Sequence, residues 1–165
     1  MTIILFRVDE RLVHGQVTAG WGRVLQPSRI VIINDSIAAE NWERELIRPA
    51  VPEGVEFEVL TVGEAVDKLR EYEESRERVF VLVEDLETVT VLVEKGARIR
   101  SINLGGIYHE DGREEILPYL YLNPEDKERL FWLGENGMVI TVQDVPSARP
   151  VDVFKYIRKK EEGSE

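Results

Sequence analysis

Ile3-Ile4-Leu5-Phe6-Arg7-Val8-Asp9-Glu10-Arg11-Leu12-Val13-His14-Gly15-Gln16-Val17 decides the reading of this chain. The first four residues form an apolar run suited to a buried strand. From Gln16 onward a helical pattern begins, with Val17, Trp21, Val24 and Leu25 on one face. The charged residues between are therefore predicted to form a strand-to-helix loop. In an open α/β sheet such a loop lies at the carboxyl edge of the strands, where ligands bind. Two arginines, an aspartate and one of the two histidines of the chain fall in this loop. Gly15 allows a tight turn beside His14, and the N-H groups that open the next helix favour an anion. Imidazole, guanidinium and a helix start together suit phosphate.

The rest of the chain repeats the strand-helix alternation. Further strands are predicted at Arg29–Ile33, Phe57–Leu60, Val79–Val83, Ile99–Leu104 and Met138–Val142, with a strand-like piece over Leu117–Leu122. One helix aligns Ala38, Trp42 and Leu46 after the cap candidates Asn34, Asp35 and Ser36; the next places Val62, Val66 and Leu69 on one face. The charge run Arg70–Arg78 reads as a solvated face. Asp85 caps a helix that stops at Gly96, and Asn123-Pro124 opens one that ends at Asn136-Gly137. Val153, Phe154 and Ile157 suggest a terminal helix. Trp21, Trp42 and the apolar helix stripes read as core. This alternation predicts right-handed βαβ units in a single α/β domain, an open and mostly parallel sheet with helices on both faces.

Composition narrows the function. The chain has 165 residues, enough for one domain with a sizeable core, and 43% of them are hydrophobic. Its formal net charge of -11 argues against a nucleic-acid partner and against anionic lipid. The absence of cysteine removes disulfides and thiolate metal sites. No apolar run approaches a membrane span, and no basic leader opens the chain, so a cytoplasmic protein without direct membrane insertion is expected.

The loop itself resembles a known signature. Arg7-Val8-Asp9-Glu10-Arg11-Leu12-Val13-His14-Gly15-Gln16-Val17 is similar to R-[IV]-D-x-R-[LIV]-[LIV]-H-G-Q-V. That pattern marks the active site of IIB subunits in the mannose/fructose/sorbose family of the sugar phosphotransferase system. The resemblance continues through Ile30–Asp35, Ile102-Asn103-Leu104-Gly105-Gly106 and Val142-Gln143-Asp144-Val145-Pro146. It implies a IIB domain over residues 1–160, followed by a polar tail over 161–165. It also implies a phosphocarrier, a protein-phosphohistidine-sugar phosphotransferase. In such a carrier His14 accepts a phosphoryl group through Nδ1 from phospho-IIA and delivers it to a sugar held by membrane IIC and IID subunits. The carrier would associate peripherally with that transporter.

By position in the motif, Arg7 and Arg11 would steady the phosphoryl group and Asp9 would organise the loop. Gly15 and Gln16 would shape the helix start, and Gly105-Gly106 would form a second wall. The chemistry is consistent with this. A neutral imidazole is a competent nucleophile toward phosphorus, and nearby arginines and a helix N-terminus lower its ordinary pKa of about 6.5. Arginine forks match phosphoryl oxygens better than lysine. The scheme requires no metal and no cofactor.

Plainer readings exist beside these. Arg7 and Arg11 could pair with Asp9 and Glu10, Asp9 could fix a ring tautomer or hold an arginine, and His109 reads as a solvated loop residue. A docking surface including Leu12, Val13 and Val17 is expected around the loop. Two rival functions remain: a IIB-like regulator that senses phosphorylation without sugar transfer, and a nucleotide or small-phosphate module. The second lacks a G-x-G-x-x-G or G-K-[ST] loop.

Overall fold

The structure, a computed structural model, describes residues 2–14 and 16–158, with Val13, His14 and Gln16 described by their backbone alone. Strand β1 spans Ile3–Val8, a 3-10 segment covers Glu10–His14, and helix α1 spans Gln16–Leu25. Strand β2 (Arg29–Ile33) leads to two short helices, α2 (Asp35–Ala39) and α3 (Asn41–Ile47). Then come β3 (Glu56–Leu60), α4 (Val62–Glu74), β4 (Val79–Val83), α5 (Leu86–Glu94) and β5 (Ser101–Leu104). A hairpin of β6 (Glu114–Leu117) and β7 (Leu120–Leu122) precedes α6 (Pro124–Glu135), β8 (Val139–Val142) and β9 (Val151–Asp152).

Among the described residues, seven strands form one sheet in the order β3-β2-β4-β1-β5-β8-β9, parallel throughout except for the antiparallel β8/β9 pair. The chain leaves β1 toward β2 on one side and leaves β5 toward β8 on the other. The crevice between the carboxyl ends of β1 and β5 is therefore a topological switch point, where open α/β sheets bind their ligands.

Side-chain alternation builds a core on each face. Ile30 and Ile32 of β2 and Phe80 and Leu82 of β4 pack with Leu12, Val17, Trp21, Ile37 and Ile47, the layer of α1 to α3. Val31, Ile33, Val79, Val81 and Val83 pack with Ala65, Leu69, Val89, Leu92, Leu130 and Leu133, the layer of α4 to α6. In β1, Phe6 and Val8 belong to the second layer, while Leu5 packs against the first. Arg7 shares the parity of Leu5. A guanidinium thus points into a layer built of apolar side chains.

Local chemistry sets the helix ends. Thr61 and Glu64 form a reciprocal capping box at α4, and Asn123 and Asp126 form another at α6 behind Pro124. Asp85 caps α5 through the N-H of Thr88 at 2.8 Å. Gly96 and Gly137 end their helices at φ +100° and +88°, conformations that a side chain rarely tolerates.

Several expectations are corrected. The helix aligned on Ala38, Trp42 and Leu46 is broken at Glu40, whose backbone is extended (φ -120°, ψ 105°). The break rotates the phase, so Ile47 is buried while Trp42 and Leu46 are 60% and 63% exposed. Val24 on α1 is likewise exposed, and Leu12 and Val17 are core residues rather than a docking surface. The piece Leu117–Leu122 is a tight hairpin turning at Pro118-Tyr119. The terminal helix is only the 3-10 turn Val153–Lys155, preceded by the unforeseen edge strand β9. The charge run Arg70–Arg78 continues α4 through Glu74, and within it Tyr72 is buried against the sheet.

Candidate functional site

Strand register assembles the floor of the crevice. Arg7 of β1 lies beside Asn103 of β5, which lies beside Thr141 of β8. These three polar residues form a row across the sheet. Asn103 accepts from Arg7 Nη1 at 2.5 Å and donates to Thr141 Oγ1 at 3.0 Å and to Gln143 Oε1 at 3.2 Å. Gln143 in turn donates to the carbonyl of Ala148 at 2.7 Å. Buried polar groups are tolerated when they satisfy one another in this way.

Arg7 is fully buried. Its Nη1 also donates to the Gln143 carbonyl at 2.9 Å, and Nη2 donates to the Asp144 carbonyl at 2.9 Å and to Asp9 Oδ2 at 3.1 Å. Its Nε donates to Asp9 Oδ2 at 3.3 Å. The Trp21 ring, 4.4 Å from Arg7 Cζ, covers one face of the guanidinium. All the N-H groups of the fork are engaged by protein acceptors. Arg7, expected to steady a phosphoryl group, here ties the ends of β1, β5 and β8 together.

Asp9 holds both arginines. Its Oδ1 accepts from the Arg11 backbone N-H at 2.9 Å and from Arg11 Nε at 3.0 Å, and its Oδ2 accepts from Arg11 Nη2 at 2.8 Å. Burial opposes its charged form, but the hydrogen bonds from Arg11 and the charges of Arg7 and Arg11 outweigh this and hold the carboxyl below its ordinary value. Burial draws the Arg7 guanidinium down from its ordinary value despite Asp9, whereas the Asp9 hydrogen bond raises that of Arg11.

Arg11 differs from Arg7 in position. Its side chain is 27% exposed, and Asp144 approaches it only to 3.9 Å. Among the described residues no acceptor engages its Nη1. The side chain stays partly exposed just beyond the end of β1, three residues before His14. Glu10, expected as an arginine partner, pairs with Arg113 at 2.7 Å and so pins the segment before β6 to the loop.

The two glycines have distinct duties. A methyl group on Gly105 would overlap the Arg7 guanidinium and the Asp9 carboxylate, so the ion pair passes directly over its Cα. Gly106 accepts the Glu10 N-H at 2.8 Å, and Gly105 donates to the Val8 carbonyl at 2.8 Å. The structure thus brings together Arg7, Asp9, Arg11, Gly105 and Gly106. It places the backbone of His14 at the end of the 3-10 segment and that of Gln16 at the start of α1, and Gly15 lies outside the described residues. The residues missed from sequence are Asn103, Gln143, Arg113 and Tyr108. Asn103 had a signal, since it is a polar residue within the buried strand Ile102-Asn103-Leu104.

An open, mostly parallel sheet with a partly exposed cation at its switch point defines an α/β domain with its polar cluster at the carboxyl ends of the strands. Comparison with known proteins gives the family. The model of the PTS system sorbose subfamily IIB component matches residues 3–165, and the chain belongs to this family of sugar-specific phosphotransferase components. It is 31% identical to the sorbose-specific EIIB component of Klebsiella pneumoniae, over 96% of this chain and 97% of that protein. It is 30% identical to the mannose-specific EIIAB component of Escherichia coli K12, covering 96% of this chain and half of that longer protein. The crystal structure of the IIB domain of the Klebsiella pneumoniae sorbose permease superposes with a TM-score of 0.84, covering 94% of this chain and 96% of that one. Among the described residues no helix is long and apolar enough to cross a membrane.

Proposed function

We propose that this chain is a phosphocarrier in which His14 accepts a phosphoryl group from a phosphohistidine of a IIA protein. It then passes the group to a sugar held by membrane IIC and IID subunits, acting on the cytoplasmic side as a peripheral partner of that transporter. The observation that carries the reading is Arg11, clamped by Asp9, partly exposed and with no acceptor on its Nη1 among the described residues, three residues from His14. The mannose-specific relative, whose name joins IIA to IIB, supports a IIA donor.

The lone pair of neutral His14 Nδ1 attacks phosphorus. The bond from phosphorus to the donor imidazole breaks, and its electron pair returns to the donor ring. In the second step a sugar hydroxyl oxygen attacks, the bond to His14 breaks, and the hydroxyl proton leaves to a base of the acceptor assembly. The transition state is loose, with charge on the equatorial oxygens, so aligned cationic donors supply most of the catalysis. Arg11 serves that charge directly. Arg7 and Asp9 set its position.

Incubation with phosphorylated IIA protein and intact-mass analysis test the reading. Wild type should gain one acid-labile phosphoryl group, and His14→Ala should gain none. Absence of transfer to wild type from a demonstrably active donor would overturn it.

A further inference from the structure

Tyr108 is held in the crevice from several directions. Its backbone N-H donates to Glu10 Oε2 at 3.3 Å, and its carbonyl accepts from Arg113 Nη1 at 2.8 Å. Arg113 and Glu10 are themselves paired, so the residue is fastened to the loop through both backbone groups. From this anchor the side chain folds back over Gly106, where a methyl group would come within 2.6 Å of the phenol oxygen. Its ring covers Arg11, with Cζ 5.9 Å from the ring centroid. Only a glycine at position 106 leaves room for the ring there. The phenol oxygen has no hydrogen-bond partner among the described residues, although both backbone groups of Tyr108 are engaged. Burial raises the phenol above its ordinary pKa, so at neutral pH it carries its proton.

We propose that Tyr108 is a further catalytic residue of this site, its phenol O-H donating to an oxygen of the phosphoryl group beside the free edge of Arg11. The inference rests on the phosphocarrier reading above. A phosphoryl group in a loose transition state spreads charge over three equatorial oxygens, and one guanidinium edge does not reach them all. A phenol adds a directed donor without adding charge. It therefore assists the transition state without increasing the electrostatic hold on the phosphorylated resting form.

Single-turnover labelling by phosphorylated IIA protein tests the assignment on the full chain, comparing wild type, Tyr108→Phe and Gly106→Ala. Phenylalanine keeps the ring over Arg11 and removes only the hydroxyl. The rate at saturating donor should fall by about tenfold or more, as for loss of a donor to developing charge, with the half-saturating donor concentration unchanged. Gly106→Ala should reproduce the slower rate by displacing the phenol, while thermal melting of Tyr108→Phe stays at the wild-type value. Labelling of Tyr108→Phe at the wild-type rate would overturn the proposal. So would a loss confined to half-saturation, which would make Tyr108 a contact for the donor protein. Failure of the underlying reading looks different: wild type itself takes up no phosphoryl group on His14, and both conclusions fall.

Discussion

Replacing Arg7 with methionine is the sharpest test of the division of labour between the two arginines. Methionine approximates the buried length of the side chain and isolates the loss of its polar contacts. Four acceptor groups lose a donor: the Asp9 carboxylate, Asn103 Oδ1 and the carbonyls of Gln143 and Asp144. Removing one partner of a buried ion pair costs about 3–5 kcal/mol, and stranded acceptors add to that figure. Retention of Arg11 by Asp9 softens the loss, so about 4 kcal/mol is expected, a large share of the roughly 5–15 kcal/mol that holds a domain together. With a urea dependence of about 2 kcal/mol per molar, the unfolding midpoint should fall by about 2 M. Tryptophan fluorescence reads this well because Trp21 lies against the substituted group. The matching change, Arg11→Met, should cost less than Arg7→Met because Arg11 is partly exposed and Asp9 keeps Arg7. It should nevertheless abolish most phosphoryl transfer. A drop below about 0.5 M for Arg7→Met, on the same urea dependence, would refute the keystone role, as would a larger drop for Arg11→Met.

Two further outcomes follow from the same geometry. The folded-state pKa of Asp9 lies below its ordinary value, so its stabilisation is fully present above the ordinary value and is lost as pH falls through the lower folded value; acid titration of wild type should show this loss, and Asp9→Asn should flatten the dependence in that window. Gly105→Ala should prevent accumulation of folded protein or lower its melting temperature sharply, because the methyl would collide with a buried ion pair that has no room to move; a melting temperature equal to wild type would show that the pair can shift.

Strands β2 and β4 were legible in the sequence because uninterrupted apolar runs between turn signals have few alternatives, and Arg29–Ile33 and Val79–Val83 match residue for residue. The helix caps at Asp85 and Asn123 were legible for the same local reason. Periodicity failed where a break too small to see changed its phase. One extended residue, Glu40, turns Trp42 and Leu46 outward. At the loop, the sequence named residues that the fold brings together but could not apportion them. Arg7 and Arg11 are both arginines beside one aspartate, and only strand parity distinguishes them: Arg7 is still in β1 and points inward, whereas Arg11 lies beyond the strand end. Apart from Asp9 and Trp21, the partners of Arg7 come from residues about a hundred positions away or more, set by a register that no local pattern records.

On the proposed phosphocarrier role, the arrangement also bears on why one of the two arginines is buried. A relay must bind a phosphoryl group and then release it, so a site that holds the group too tightly stalls. Each hydrogen bond to a charged group is worth about 1.5–3 kcal/mol, and every 1.4 kcal/mol of extra hold slows release about tenfold. Two free guanidinium forks would add several such bonds to the resting phosphorylated state. Asp9 cancels one of the two positive charges, and Arg7 spends its donors on protein groups, which leaves one net cation and a limited donor edge at the mouth. Acidic surface groups farther than about 8–10 Å contribute little to this balance, since their field is screened at physiological salt. Within that distance the phosphoryl group meets Arg11, the start of α1 and, on the inference above, the uncharged phenol of Tyr108. Such a site favours the moment when charge spreads during transfer over the state before or after it, and so the same loop can serve both a donor and an acceptor.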